Sequence, residues 1–151
     1  PIPGQADTQA TFDYWNQFAA HVRSVKPDAM LVGEAWADLG TIGRYRDGGK
    51  GLDSAFDFEF GELVIGILNP DTPRSADFGT LSADAPLKGR DDLWNNLRKR
   101  HAAAPMGYFS PFLTNHDQTR IGHVLKGDMA KGKIAASLLA TTPGTLYLYY
   151  G

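Results

Sequence analysis

Stretches patterned for helix alternate along this chain with short apolar runs, and no other feature constrains its fold as strongly. Asp7 or Thr8 suits an N-cap, and behind it Phe12, Trp15, Phe18, Ala19, Val22 and Val25 recur at helical spacing. Lys26 and Pro27 stop that helix. The run AMLVGEAW, residues 29–36, predicts a buried strand, continuously apolar as when both faces are covered. ADLGTIGRYRDGGKG, residues 37–51, reads as a glycine-rich loop. Aromatic alternation then predicts a strand from Ala55 to Phe58, and the apolar run behind it a helix from about Gly61. Residues 69–89 read as a long irregular connection, of a length that is uncommon inside compact domains and often functional. DDLWNNLRKRHAAA, residues 91–104, has helical composition with Asp91 and Asp92 in its first turn. A strand from Ser110 to Thr114 ends at a polar cluster. A helix over residues 129–142 and a final strand, PGTLYLYYG, complete the chain.

The order is helix, strand, strand, helix, helix, strand, helix, strand. Apart from the long connection, the two element types alternate, which predicts an α/β fold with a parallel sheet and helices outside it. In such folds the functional site lies at the carboxyl ends of the strands. Two polar groups stand at such ends: Glu34, and the pair His116 and Asp117.

Composition narrows the function classes. The chain has 151 residues, 42% hydrophobic and 21% charged, enough for one domain with a real core. The formal net charge of −2 gives no electrostatic reason for nucleic-acid binding. The densest basic group, Arg98, Lys99 and Arg100, ends an expected helix, where cations complement the helix dipole. There is no cysteine, which excludes disulfides and thiolate metal sites and leaves localisation open. No apolar run approaches the roughly 18 to 20 residues of a membrane helix, and no signal peptide is visible. The chain opens at PIPGQ without an initiator methionine, so either its N-terminus was processed or it is a piece of a longer protein.

Glutamate is depleted from strands and seldom fully buried unless paired. Glu34 is therefore either a structural, ion-paired carboxylate or a general acid. Beside apolar surface such as Trp36, its anion would be disfavoured and its pKa raised, so that it could deliver a proton to a leaving oxygen. The stretch TNHD, Thr114 to Asp117, has three readings. It could cap a following turn. Adjacent His and Asp also occur in metal phosphohydrolases, although those need further ligands on helices. As a binding group, Asp117 would be a permanent carboxylate and His116 a hydrogen-bond donor to a polar ligand. GRYRDGGKG fails as a phosphate loop, because Gly51 follows Lys50 in place of Ser or Thr. Phe56-Asp57-Phe58 and Tyr147, Tyr149 and Tyr150 read as packing, and His21, His101 and His123 have no evident partner in the sequence.

Together, LVGEAW and FLTNHDQTR resemble two signature segments of the α-amylase family of glycoside hydrolases, and PGTLYLYYG resembles that family's eighth barrel strand. The resemblance covers essentially the whole chain. It implies a partial (β/α)8 TIM barrel, strands five to eight with their helices, making residues 1–151 the C-terminal half of a catalytic barrel. It also implies that Glu34 is the general acid/base and Asp117 the transition-state-stabilising aspartate. His116 and Asn115 would contact the sugar, and Trp36 either shapes the site or packs. Arg120, past the motif, is expected to be structural.

A retaining glycosidase needs a second carboxyl group, the nucleophile, about 5 to 5.5 Å from the first. In the family this is an aspartate after strand four, in a pattern like Gly-Phe-Arg-x-Asp, which is absent here, as is the earlier Asp-x-x-x-Asn-His segment. Asp38, nearest to Glu34, follows Glu34's own strand, whereas catalytic groups of such a barrel come from the ends of different strands. A whole barrel takes about 250 residues. The expectation is therefore a fragment of a retaining α-glucan hydrolase, of α-amylase or α-glucosidase type, inactive alone. A sugar-binding or interaction protein of the same lineage is the alternative. The expected partner is an α-glucan or maltooligosaccharide, with neither nucleic acid nor membrane. No cofactor is expected in this segment, and a structural calcium in the complete enzyme would take its ligands mostly upstream. A half barrel exposes strand edges, so a homodimer or swapped assembly is expected.

Overall fold

The computed structural model of the chain describes residues 5–70, 90–103 and 108–150. These form two compact units, divided after Ala55.

In the first unit, helix α1 (Gln9–Val25) starts at Thr8, whose hydroxyl accepts from the Thr11 N–H, and ends at Lys26 as the sequence predicts. Its buried face is narrower than the apolar stripe: Phe12 and Ala19 are buried, whereas Phe18 and Val25 are exposed. Strand β1 (Val32–Gly33) is much shorter than the expected run and only half-buried. It pairs in parallel with the start of strand β2 (Ser54–Asp57), Val32 opposite Ser54 and Gly33 opposite Ala55. β1 is the first strand in the sheet order, so one of its edges carries no strand among the described residues.

The expected glycine-rich loop is a correction. Residues Leu39–Arg46 form helix α2, followed by one 3-10 turn at Asp47–Gly49. The Asp38 carboxylate caps α2 by accepting the N–H groups of Gly40 and Thr41 at 2.8 and 3.0 Å. Ile42 and Tyr45 are its buried residues. Tyr45 packs edge-on against Phe12, centroids 4.6 Å apart, and both join Leu52 in the core of this unit. Burial of these rings supplies what the glycines withhold.

In the second unit, helix α3 (Phe58–Leu68) follows β2 without a loop. It starts three residues earlier than expected because Asp57, the last residue of β2, is its N-cap: the buried carboxylate accepts the Phe60 N–H at 3.1 Å. The Phe-Asp-Phe alternation thus straddles a strand end and a helix start, and Phe58 is core, as expected. Helix α4 (Arg90–Ala103) falls where the sequence places it. The long connection lies, beyond Pro70, outside the described residues.

Strand β3 (Phe109–Pro111) is the neighbour of β2 in the sheet. Past β3, a short helix α5 (Ile121–Val124), absent from the sequence reading, precedes α6 (Met129–Thr141). The core joins Phe60, Leu63 and Val64 of α3 to Leu93 of α4, Leu125, and Ala135 and Leu139 of α6. The final segment carries no assigned strand. Its Thr145 and Tyr147 N–H groups nevertheless donate to the Phe109 and Pro111 carbonyls, both at 3.1 Å. Equal two-residue steps on both sides mean that it runs beside β3 in the same direction.

Candidate functional site

The expected site residues fall in two groups, one in each unit. Glu34 follows β1 directly, so the strand end that the sequence points to is real. Gly33 before it leaves room for the core: a Cβ there would clash with Leu52 Cδ1, the end of a buried side chain that would have to shift. The burial expected for the Glu34 carboxyl is absent, and the residue is exposed. Its partner is a ring nitrogen. Trp36 Nε1 donates to Glu34 Oε1 at 3.0 Å. Trp36, half-buried, therefore aims the carboxylate in addition to packing.

Beside them opens a cleft of about 480 Å3, lined among others by Asp7, Trp15, Glu34, Trp36, Tyr45 and Leu52. Flat rings beside a few fixed polar groups suit a ligand with both C–H faces and hydroxyls. The Tyr45 hydroxyl donates to Asp7 Oδ1 at 2.7 Å. Burial, and then this bond to Asp7, push the Tyr45 phenol above its ordinary value. Asp7, Trp15 and Tyr45 did not emerge from the sequence as site residues. The sequence pattern marks Asp7 and Trp15 only as a helix start and a helix face, and Tyr45 as part of a loop.

In the second unit, the chain leaves β3 through buried Phe112 and Thr114 and then turns. The turn is closed by Asn115: its Oδ1 accepts the Asp117 N–H at 3.0 Å and its carbonyl accepts the Gln118 N–H at 3.3 Å. Asn115 thus has the local turn-forming role of its residue type. His116 and Asp117 project from this turn with their side chains 66% and 58% exposed, and His116 Nε2 lies 3.4 Å from Asp117 Oδ2. Both are open to a ligand, and a protonated imidazole would stand next to a carboxylate.

Asp38, Asp53 and Asp57 have structural work. Asp38 caps α2 and Asp57 caps α3. Asp53 pairs with Arg23 at 2.9 Å and accepts the Leu31 N–H at 2.8 Å, which ties α1 to the start of β1. Among the described residues, no group of three or more His, Cys, Asp and Glu side chains is placed to hold a metal ion. No helix among them is long and apolar enough to cross a membrane.

Residues 4–151 match the family model described as the α-amylase catalytic domain. Alpha-amylase 3 of Dictyoglomus thermophilum is 30% identical over 145 residues, covering 96% of this chain and 26% of that protein. A cyclomaltodextrinase of Thermoanaerobacter pseudethanolicus is 25% identical over 138 residues, covering 91% of this chain and 21% of its own length. The crystal structure of an α-amylase from H. orenii superposes with a TM-score of 0.66 at 32% identity, over 99% of this chain and 27% of that one. The debranching enzyme of Nostoc punctiforme shares the fold, with a TM-score of 0.74 at 22% identity, over 99% of this chain and 31% of that one. The chain thus spans about a quarter of the length of the curated relatives it matches.

Proposed function

We propose, because the chain belongs to the α-amylase catalytic-domain family, that it forms strands five to eight of a (β/α)8 barrel in a retaining α-glucan hydrolase. The observation that carries this reading is the Glu34 carboxylate, held by Trp36 at the end of β1 and facing an aromatic cleft. A general acid must present its proton to a bound oxygen, and an exposed carboxyl group fixed by one donor can do so. The His116–Asp117 turn supports the second half of the reading.

In this mechanism an α-glucan lies across the carboxyl ends of the strands. Glu34 gives its proton to the glycosidic oxygen as the bond to the anomeric carbon breaks. A carboxylate from a preceding part of the barrel attacks that carbon and forms a covalent glycosyl intermediate. Glu34, now ionised, takes a proton from water or an acceptor hydroxyl, whose oxygen displaces the enzyme carboxylate. Asp117 and His116 bind hydroxyls of the distorted sugar through contacts that strengthen in the transition state. Asn115 holds their turn.

The test is turnover of a chromogenic maltooligosaccharide by the complete protein containing this chain. Glu34→Gln keeps the side-chain shape and removes the transferable proton, and it should lower kcat by about 10²- to 10⁴-fold with the melting temperature unchanged. Near-normal turnover in the variant removes Glu34 from the mechanism. Binding of maltooligosaccharide without turnover in the wild type would favour a sugar-binding protein instead. The 151-residue chain alone should not turn over substrate, and turnover that disappears with Glu34→Gln would mean that the chain contains its own nucleophile.

A further inference from the structure

Arg120 has a more elaborate set of partners than a surface arginine needs. It stands three residues beyond Asp117, between the Asn115–Gln118 turn and helix α5, and its carbonyl accepts the Val124 N–H at 3.0 Å. Its side chain is not spent on α5, where it makes no capping bond. The guanidinium instead reaches the far end of the final segment. Its carbon lies 4.2 Å from the Tyr149 ring centroid and 4.1 Å from the Tyr150 ring centroid. Its Nη1 donates to the Tyr150 carbonyl at 2.6 Å. The two rings are themselves in contact, centroids 4.7 Å apart.

We infer that Arg120 is a positioning residue: it clips the turn carrying His116 and Asp117 to the end of the final segment, and so fixes where the Asp117 carboxylate stands. The final segment is already tied to β3 by Thr145 and Tyr147, before the turn. The backbone hydrogen bonds of the stretch from Asn115 to Arg120 are local, running within the turn and into α5. With the Arg120 side chain, the turn is held from both sides, by β3 where the chain enters and by the two tyrosines where it leaves. A planar guanidinium suits this role, because it stacks on aromatic faces while donating in its own plane, and an ammonium does neither equally.

This inference rests on the reading of Asp117 as a substrate-binding carboxylate, so its test carries one readout that does not depend on activity. In the complete protein, Arg120→Met keeps much of the aliphatic bulk and loses the clip. Amide exchange should then accelerate in residues 114–118 and 145–150 and stay unchanged in α3 and α6. With a chromogenic maltooligosaccharide, kcat should fall by about 10- to 100-fold, as for a misplaced group, with KM changed much less. Arg120→Lys should recover only a minor part of that loss. Exchange at residues 114–118 equal to wild type overturns the inference whatever the activity. So does full rescue by lysine, or a kcat loss that merely follows the folded fraction. If Arg120→Met does not fold, Tyr149→Leu removes one face of the stack and should give the same pattern more weakly. A wild-type protein without turnover refutes the proposed function, and the exchange result still decides the clip.

Discussion

At the scale of single residues, the proposed chemistry of Glu34 depends on how its carboxylate is oriented. Glu34 is exposed, so water competes for its carboxylate, and Trp36 Nε1 is the donor that gives it a direction. Trp36→Phe keeps a ring in the cleft and deletes that donor. A hydrogen bond to a charged group contributes about 1.5–3 kcal/mol when buried, and an exposed one less. About 1 kcal/mol of lost orientation corresponds to roughly a fivefold lower kcat, with folding and KM little changed. Steady-state kinetics of the complete protein checks this, and a kcat equal to wild type would reduce Trp36 to a packing residue. Glu34 was legible because a glutamate closing an apolar run is chemically out of place. Its link to Trp36 was legible in part, since residues two apart in an extended run face the same side. Sequence spacing carries no donor geometry, so shaping and packing could not be separated before the structure. Asp7 and Tyr45, joined across 38 positions, left no local signal at all.

At the scale of elements, helix α2 shows why part of the fold stayed hidden. Gly40, Gly43, Gly48 and Gly49 gave that stretch the composition of a loop. Its helix depends on Asp38 as cap and on the burial of Ile42 and Tyr45, and the second of these is tertiary information. Helix α1 was legible because its cap and its stop signal are local. The Asp38 carboxyl is held below its ordinary value of 3.8, first by the Thr41 N–H and then by the Thr41 hydroxyl. A lowered carboxylate pKa means a contribution to stability that is present above pH 3.8 and lost as pH falls through the lower, folded value. Asp38→Ala should therefore destabilise at neutral pH by about 0.5–1 kcal/mol, the low end for a cap because this one is exposed. The difference from wild type should shrink below pH 3.8, and thermal melts across pH test the sign. Gly61 offers a second test. A Cβ on this α3 residue would lie 2.7 Å from the Leu113 carbonyl oxygen and 2.9 Å from that of Phe112. Both obstacles are backbone atoms of the stretch that leads to the Asn115 turn, so neither can step aside cheaply. Gly61→Ala should cost about 1–3 kcal/mol by overpacking and should lower kcat along with the melting temperature. A variant as stable as wild type would show that α3 can shift without cost.

At the scale of the whole molecule, what matters is which strand edges the described residues leave without a partner. β1 pairs with β2 on one side only among the described residues. The final segment beside β3 leaves Leu146, Leu148 and Tyr150 at 43%, 78% and 74% exposure. An edge with unpaired backbone groups and alternating apolar side chains is a template for another strand. On the proposed reading, the remaining strands of a complete barrel would take those edges. In isolation, the 151-residue chain should therefore pair with itself. Light scattering should give a mass of at least two chains, rising with concentration. Leu148→Lys places a charge on the exposed side of the final segment, the same device that natural edge strands use against association. It should shift the distribution toward monomer without changing helix content, because nothing in either core contains Leu148. If the wild-type chain is instead a monodisperse monomer with a single cooperative melt, these edges are satisfied within the chain, and the partial-barrel reading loses its physical basis. If Leu148→Lys leaves a dimer intact, association runs through the β1 edge, and a charge introduced at Val32 becomes the discriminating variant.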